Sequence, residues 1–426
     1  MSKAFFNFIS SHITTGHLIL SFPNGSNAVF GDGTGLTVAA RITDQRTLRR
    51  IAVNPELAVG EAFMDGTLQI DNGSIYDFLA LIFRNTRVEN LTGIPGVVSK
   101  AFSLITRWSG YNSISRSKAN VAHHYDLNGD LYRLFLDSDS QYSCGYFETD
   151  GDTLEQAQLA KKRHIAAKMV MKPGQRVLDI GSGWGGLGLY LARHFNAQVS
   201  GVTLSEEQHK ISNLRTRAAK VFPQVRFDLQ DYRDVTDRFD RIVSIGMFEH
   251  VGLASYDEFF GKVSQLLTDD GVMLLHYIGQ SGGPSHTNPW ILKYIFPGGY
   301  MPALSEVLPV IERHGLIVTD LETLRLHYAE TLRHWRRNFL ARRDEAVALF
   351  DERFVLMWEF YLAAAETAFR YQGLVIHQIQ LAKRQEAVPL TRSYIQEAET
   401  SLRQRETPTP AVARVASAPQ KEHVGA

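Results

Sequence analysis

The fold is decided by the stretch Arg176-Val177-Leu178-Asp179-Ile180-Gly181-Ser182-Gly183-Trp184-Gly185-Gly186. A short aliphatic run, typical of a buried strand, leads into closely spaced glycines and then into a helical pattern. Further β-rich runs follow at Ala197–Leu204, Asp240–Gly246 and Val272–Ile278, and helical patterns lie at Leu187–His194, Glu206–Ala219 and Ser255–Leu267. Strands that alternate with helices indicate βαβ units, so the sequence predicts an α/β fold with a parallel sheet.

The glycine loop is compatible with more than one ligand. Gly181, Gly183 and Gly186 satisfy the dinucleotide pattern G-x-G-x-x-G. However, Asp179 ends the strand, where a carboxylate repels a pyrophosphate and can balance a sulfonium–amino acid. The next strand ends at Thr203 rather than at the acid that would hold a dinucleotide ribose. We favour S-adenosylmethionine (SAM), with a dinucleotide site and a purely structural glycine turn as alternatives.

Composition excludes several classes of protein. The 426 residues contain 45 Lys+Arg and 45 Asp+Glu, so no basic excess points to nucleic acid as the partner. The single cysteine, Cys144, excludes an intramolecular disulfide and metal sites built from several thiolates. No continuous apolar run has the length of a membrane span, and residues 1–22 lack the apolar core of a signal peptide. We therefore expect an intracellular protein that is soluble or attached to one membrane face.

The chain divides into four predicted parts. Residues 1–105 mix strand and helix signals and predict a small α+β domain, 106–120 form a linker, 121–400 form the catalytic domain, and 401–426 form a disordered tail. Within the first part we expect strands at His17–Phe22, Ala28–Phe30 and Leu36–Arg41, and helices at Asp44–Ala52 and Ile75–Phe83. A charged helical region is predicted over Glu330–Arg370, and Leu374–Leu381 is predicted as an edge strand.

An ordered set of motifs resembles the cyclopropane fatty acid synthase family of SAM-dependent methyltransferases. The motifs are Ala122–Asp126, Tyr142–Tyr146, Leu178–Gly186, Gly201–Ser205, Leu229–Asp234, Met247–Gly252 and Leu274–His276, with fainter similarity at Gly60–Gly66 and Phe369–Arg370. Together they span nearly the whole chain except its tail, and as an ordered set they are far more specific than the glycine loop alone.

The resemblance implies a fold and an activity. The fold is a seven-stranded, Rossmann-like class I methyltransferase sheet with a helical insertion that roofs an acyl pocket. The activity is transfer of a methyl from SAM to a cis double bond of an unsaturated phospholipid acyl chain, followed by ring closure, with bicarbonate as the general base. The N-terminal domain would bind lipid. We also expect a cytoplasmic enzyme on the inner membrane face, a homodimer, and no nucleic-acid partner or metal.

The resemblance also assigns residues. Four match positions around the bicarbonate: Cys144, Glu249, His276 and Tyr328, with the backbone of Ile278 beside them. Ten match the cofactor site: Tyr142, Ser143, Asp179, Gly181, Gly183, Thr203, Ser205, Gln208, Asp231 and Tyr232. Each has a plainer interpretation as well: a lone cysteine is most often a buried hydrophobe, His276 could be a core histidine, and Tyr232 could serve ordinary packing.

Two features leave alternatives open. Some family members have a cysteine where this chain has Ala365, so a methyl-branched or methylene product is the alternative to a cyclopropane. The segment Thr331–Arg343 combines several arginines with Trp335 and Phe339. It is interpreted either as a patch that meets anionic lipid headgroups, with the aromatic rings reaching the acyl boundary, or as a solvated helix face backed by core aromatics.

Overall fold

The computed structural model describes residues 3–86 and 129–406. The N-terminal part is an α+β domain with a four-stranded sheet in the order β2-β1-β3-β4, in which β1 and β3 are parallel. Its strands are β1 His17–Ser21, β2 Asn27–Phe30, β3 Thr37–Ile42 and β4 Leu68–Asn72, and its helices are α1 Lys3–His12, α2 Gln45–Val53, α3 Pro55–Met64 and α4 Ile75–Asn85.

The second part is built on a seven-stranded sheet in the order β10-β11-β9-β8-β5-β6-β7. Its strands are β5 Arg176–Ile180, β6 Gln198–Thr203, β7 Val225–Leu229, β8 Phe239–Ile245, β9 Leu267–Gln280, β10 Ile317–Leu324 and β11 Leu374–Ala382. All neighbouring pairs are parallel except the two that β11 makes. The predicted fold class, a seven-stranded methyltransferase-type sheet beside a small N-terminal domain, is confirmed.

Helices cover both faces of this sheet and extend beyond its carboxyl edge. They are α5 Gly129–Arg133, α6 Leu154–Lys168, α7 Gly186–Phe195, α8 Glu206–Ala218, α9 Tyr256–Leu266, α10 Pro289–Tyr294, α11 Leu304–Arg313, α12 His327–Ala341, α13 Arg343–Leu349, α14 Glu352–Tyr371 and α15 Ser393–Arg405. The chain between β10 and β11 forms α12, α13 and α14, which replace the single helical region predicted for 330–370. No helix of the described residues is long and apolar enough to cross a bilayer.

Two predictions of local structure are wrong, one about the position of a strand in the sheet and one about where the tail begins. The run predicted as an edge strand is β11, which pairs along one side with β10 and along the other with β9. The error arose because the polar strand β10, which is the true edge, gives no alternating apolar signal. The tail predicted to begin at 401 instead begins as the last turns of α15, and Glu406 is held by Arg163 and Tyr190. The predicted linker, Ala122–Asp126 and residues 407–426 lie outside the described residues.

The two domains pack tightly through α14, which lies against both α3 and α4. Gly60 on α3 allows the close approach, because a Cβ there would lie 2.5 Å from Nε1 of Trp290. Beside it the buried Glu61 accepts hydrogen bonds from Lys293 Nζ (2.6 Å) and Tyr294 Oη (2.8 Å). Since a charge removed from water needs partners, this cluster fixes how α3 sits on the catalytic domain.

Candidate active site

A cleft opens at the carboxyl edge of the parallel strands, above the loops that follow β5, β6 and β8. This edge is where open α/β sheets bind ligands. The turn after β5 depends on glycine: Gly181 has φ +81° and Gly183 has φ +54°, in the left-handed region. A Cβ on Gly181 would also lie 2.8 Å from Cβ of Met247, so the β5 and β8 loops can meet only because this side chain is absent.

Nine of the ten predicted cofactor residues line this cleft. They are Tyr142, Ser143, Asp179, Gly181, Gly183, Thr203, Gln208, Asp231 and Tyr232. The tenth, Ser205, is buried, and its hydroxyl accepts a hydrogen bond from the backbone N–H of Gln208 at the start of α8. Its position indicates support of the loop after β6 rather than a place in the cleft wall.

Side-chain hydrogen bonds hold the polar wall of the cleft in place. The hydroxyl of Thr203 donates to Oε1 of Gln208 (3.0 Å) and accepts from the N–H of Ser205 (3.2 Å). Both carboxylate oxygens of Asp231 accept from the guanidinium of Arg233 (2.9 and 2.8 Å). These contacts fix the rotamers of the groups that were matched to the ribose and adenine ends of a cofactor.

Asp179 gives the cleft its anionic character. Its carboxyl is almost fully buried, and burial raises its pKa to about 7, while the nearby ammonium of Lys161 opposes that rise. A buried carboxylate is stabilised by a cation. The donor set therefore fits a ligand that carries positive charge, such as the amino-acid portion of SAM, and does not fit a pyrophosphate. This observation favours SAM over a dinucleotide, whereas the glycine pattern alone was compatible with both.

Glu249 and His276 lie on neighbouring strands, in the turn after β8 and on β9. Oε1 of Glu249 accepts from the N–H of Ile278 (2.6 Å), whereas Oε2 is buried with no partner among the described residues. Burial raises the pKa of Glu249 to about 7 and lowers that of His276 to about 3. Glu249 therefore titrates near neutrality, and His276 is a neutral imidazole there.

The tautomer of His276 depends on the orientation of the amide of Gln378. Nε2 of Gln378 on β11 lies 3.2 Å from Nδ1 of His276, and an amide nitrogen can only donate, so Nδ1 is the acceptor. The proton of the neutral ring is then on Nε2, which is buried and has no partner among the described residues. The site thus offers one orphan donor, on His276, and one orphan acceptor, on Glu249. Bicarbonate, which has an anionic oxygen and a hydroxyl, fits that pair of groups.

Cys144 and Tyr328 both belong to the hydrophobic core near the start of α12, and neither lines the open cleft. The thiol of Cys144 is buried and donates to the carbonyl of Gly145 (3.2 Å), and the N–H of Gly145 donates to the hydroxyl of Thr331 (2.9 Å). Burial raises the pKa of this thiol, which is therefore protonated. Tyr328 packs edge-on against Trp335 (5.7 Å between ring centroids) and against Phe369 (4.9 Å). Cys144 is placed behind the reaction site as a neutral group, not on an open rim.

A buried aromatic cluster adjoins the cleft and shares Tyr142 with it. The ring of Tyr142 stacks on Trp335 (5.1 Å) and meets Tyr132 edge-on (5.1 Å), while its hydroxyl is 2.8 Å from that of Tyr361. Tyr132 also packs against Trp184, which follows the glycine turn (4.9 Å). Since α5, α12 and α14 come together only in the folded chain, sequence reasoning did not find this cluster.

The structure decides between the two interpretations of the segment Thr331–Arg343. Trp335 and Phe339 are fully buried in the aromatic core. Most arginines of this segment also have acidic partners: Arg333 with Glu330, Arg336 with Glu366, Arg342 with Glu345 and Arg343 with Glu352. The interpretation as a charged helix face backed by core aromatics therefore describes this helix.

Comparison with known proteins gives consistent results for both domains. The family described as mycolic acid cyclopropane synthetase matches residues 112–379, and a domain of unknown function (DUF7884) matches residues 5–89. Cyclopropane-fatty-acyl-phospholipid synthase of Escherichia coli is 37% identical over 80% of this chain and 87% of its own. A probable fatty acid methyltransferase of Pseudomonas putida is 41% identical over 62% of this chain and 68% of its own.

A solved structure agrees with these matches. The mycolic acid cyclopropane synthase CmaA1, in complex with S-adenosylhomocysteine (SAH) and CTAB, superposes with a TM-score of 0.59. It is 35% identical, and the match covers 62% of this chain and 97% of the other. The chain therefore belongs to the mycolic acid cyclopropane synthetase family and is a SAM-dependent methyltransferase.

Proposed function

We propose that this enzyme methylates the cis double bond of unsaturated phospholipid acyl chains and closes a cyclopropane ring, with bicarbonate as general base. The observation that carries the proposal is the pairing of an anionic cofactor cleft with a dry aromatic cluster through Tyr142. An alkene is a weak nucleophile, so the reaction needs close approach of the two reactants. It also needs aromatic faces that stabilise a cation, and no strong nucleophile that would trap it.

The reaction balances without a redox partner. The alkene π electrons form a bond to the methyl carbon as the carbon–sulfur bond breaks, and the positive charge moves to the neighbouring chain carbon. Loss of one proton from the added methyl then leaves the electron pair that closes the ring. When bound, SAM supplies the electrophilic methyl, and bicarbonate would supply the base that takes this proton.

The residues of the chain have separate tasks in this scheme. Asp179 holds the cationic end of the cofactor, and the glycine turn lets it approach the backbone. Nε2 of His276 and the free oxygen of Glu249 would hold bicarbonate, the first by donating to its anionic oxygen and the second by accepting from its hydroxyl. The protonated thiol of Cys144 is no competing nucleophile, because the thiolate rather than the thiol attacks carbon.

A lipid assay tests this function. The protein is incubated with SAM, bicarbonate and vesicles of unsaturated phosphatidylglycerol, and the released fatty acids are analysed by mass spectrometry. We expect a gain of one CH2 per reacted chain, with none from vesicles of saturated lipid. Transfer to RNA or DNA without any transfer to lipid would contradict the proposal.

A methyl-branched or methylene product is the second candidate. The similarity to a probable fatty acid methyltransferase supports it, as does Ala365, which lies half-buried on α14 against the aromatic core. A methylene product and a methyl-branched alkene both form by loss of one proton and have the same mass as the ring, so proton NMR of the purified lipid is needed to separate them. Ring methylene resonances support the first candidate, and vinylic resonances support the second.

Membrane association and dimer formation are further parts of the proposal. The packing of α3 and α4 on α14, which borders the aromatic cluster, supports a role of the N-terminal domain in presenting lipid. We expect the full-length protein to float with vesicles of anionic phospholipid and to sediment as a dimer. Activity on lipid dispersed in detergent without vesicle binding would contradict the membrane part, and a monomeric active enzyme would contradict the dimer.

A further inference from the structure

Helix α6 is buried on nearly all sides although it carries many charges. Most of its cations are neutralised by carboxylates on the side remote from the cleft, as with Lys168, whose Nζ pairs with Asp320 (2.9 Å) and Glu322 (3.0 Å). Lys161 differs. It is only 1% exposed and forms no ion pair among the described residues. Its Nζ donates instead to two neutral oxygens, Oε1 of Gln141 (2.8 Å) and Oγ of Ser143 (2.7 Å).

These two acceptors belong to the wall of the cofactor cleft. Residues 140–143 line the cleft opposite the glycine turn. Gln141 lies against the first residue of α7, because a Cβ on Gly186 would be 2.2 Å from its Nε2. A second residue of α6, Gln158, donates to the carbonyl of Ser143 (2.9 Å). Helix α6 thus holds this wall from behind, and Lys161 supplies its charged contact.

The charge of Lys161 also reaches the carboxyl that gives the cleft its anionic character. It opposes the effect of burial on Asp179, at the end of β5. A cation behind a buried carboxylate keeps it ionised. One side chain therefore joins the two sides of the cleft, the 140–143 wall and the strand end.

We propose that Lys161 is a positioning residue for SAM: its ammonium fixes the wall formed by Gln141 and Ser143 and keeps Asp179 ionised to receive the cationic amino-acid end of the cofactor. The proposal depends on SAM as cofactor and not on the acceptor. Sequence analysis missed Lys161 because its helix shows no motif and its burial is a tertiary effect.

Other titratable groups around Lys161 also contribute to the pH dependence, so their effects must be separated from that of Asp179. The titratable side chains that act on it or that it acts on are Asp137, Asp139, Cys144, Lys162, Asp179 and His276. Cys144 and His276 are neutral near pH 7, and Asp139 is paired with Lys162 and Arg215. Burial raises the pKa of Asp137 to about 6. Asp137 is thus the other carboxyl that titrates in this range, so the variant Asp137→Asn is a required control.

The test is calorimetric titration of the full-length protein with SAH between about pH 6 and about pH 9, where the shifted carboxyls titrate. SAH retains the cationic amino group of SAM and lacks the methyl, so binding is measured without turnover. Removal of a neighbouring cation raises the pKa of Asp179. In Lys161→Met the pH midpoint of binding should therefore move up by about one unit, and affinity at neutral pH should fall about tenfold. The loss should vanish at alkaline pH, because Asp179 is then ionised in both proteins and Lys161, whose pKa burial lowers to about 8, has lost its own charge.

Matched variants separate positioning from general stability. Lys168→Met removes an equally buried ammonium of the same helix and should keep the wild-type midpoint. Lys161→Gln retains a hydrogen-bond donor without charge. Its SAH affinity at alkaline pH should therefore equal that of the wild type, whereas its pH midpoint should stay shifted. It also provides the test if Lys161→Met does not fold.

Three results would overturn the proposal. The first is a pH midpoint of SAH binding in the Lys161 variants that equals the wild-type value. The second is an equal shift of that midpoint in Lys168→Met. The third is disappearance of the pH dependence of SAH binding in Asp137→Asn. Absence of SAH binding to the wild-type protein would refute the cofactor and this proposal together. SAH binding without a lipid product would contradict only the proposed acceptor.

Discussion

The cofactor side and the reaction side of this site are built in different ways. On the cofactor side, Asp179, Thr203 and Asp231 follow successive strand ends and line an open cleft. On the reaction side, Cys144 and Tyr328 come from elements far apart in the chain, and each is less than one-tenth exposed. The cofactor side is a polar surface that strand order alone assembles, whereas the reaction side is a dry interior that exists only after the helices between β10 and β11 have packed.

The two sides also use a buried carboxyl differently. Burial raises the pKa of both Asp179 and Glu249 to about 7. The charge of Lys161 lowers the pKa of Asp179 against the effect of burial, which suits a carboxyl whose ionised form is completed by a cationic ligand. Glu249 is stabilised by the backbone N–H of Ile278 alone, which suits a group that exchanges a proton near neutrality. Variants at each carboxyl should therefore separate binding from turnover.

The largest expected effect is on turnover in Glu249→Gln. Loss of the acceptor for the bicarbonate hydroxyl should lower kcat by about 10²–10⁴-fold, the range for general acid–base groups. SAH affinity, measured by calorimetry, should stay within about twofold of wild type, because a substitution that removes no contact with the ligand ordinarily changes the binding free energy only slightly. The exposed Glu386→Gln is the matched control. Weakened SAH binding in Glu249→Gln would show that Glu249 belongs to the cofactor side.

Asp179→Ala should have the opposite pattern and a smaller effect. Removal of the carboxylate that holds the cationic end of SAM should raise the dissociation constant of SAH about 10–100-fold, the cost of one charged hydrogen-bonding partner. Turnover at saturating SAM should fall much less. The exposed Asp270→Asn provides the comparison. A variant that binds SAH normally but has lost kcat would contradict the separation of the two sides.

The pH dependence of kcat should follow Glu249. Only its ionised form accepts a hydrogen bond with both oxygens, so kcat at saturating SAM should rise as pH rises through about 7 and fall about tenfold per unit below that. In Glu249→Gln the residual rate should be flat across this range. A rate that falls with rising pH through 7 would indicate that the protonated acid is the active form.

The smallest effect on stability and activity is expected from a change at Tyr361, where the cofactor side and the reaction side meet. Tyr361→Phe removes the hydroxyl that bonds to Tyr142, and the loss of one such hydrogen bond costs about 0.5–1.5 kcal/mol. The melting temperature should fall by a few degrees, about the amount that such a loss produces in a domain of this size. We expect kcat/KM for lipid to fall more than SAH affinity. Equal loss of both would place Tyr361 on the cofactor side.

The same division explains what the sequence could predict. The strand Arg176–Ile180 and its glycine turn were predicted to the residue because an apolar run, a turn and a helix start are local signals. Six of the predicted cofactor residues reach the cleft because they lie at or just after strand ends of a parallel sheet, which meet at one edge, whereas Tyr142, Ser143 and Gln208 come from other segments. The reaction residues were named only through family resemblance, since nothing local in Leu274–His276 distinguishes a functional histidine from a core one.

The errors have a physical cause in tertiary packing. Trp335 and Phe339 lie among arginines in the sequence, yet both rings are buried in the core, and most of the arginines have carboxylate partners. Lys161 reads as a surface residue until α6 is covered. Strand β10 was missed, which made β11 look like an edge, because half of its residues are polar, the apolar ones do not alternate, and most are partly exposed. In each case burial is decided by elements that are distant in the chain.

The account is tested most directly by isotope retention from SAM that carries a trideuterated methyl. The protein is incubated with this cofactor, bicarbonate and unsaturated phospholipid vesicles, and the product acyl chain is examined by mass spectrometry and NMR. The proposed mechanism removes one hydron from the added methyl, so the product should contain a ring CD2 with two of the three deuterons. A product that retains all three deuterons in an intact methyl group would contradict the account.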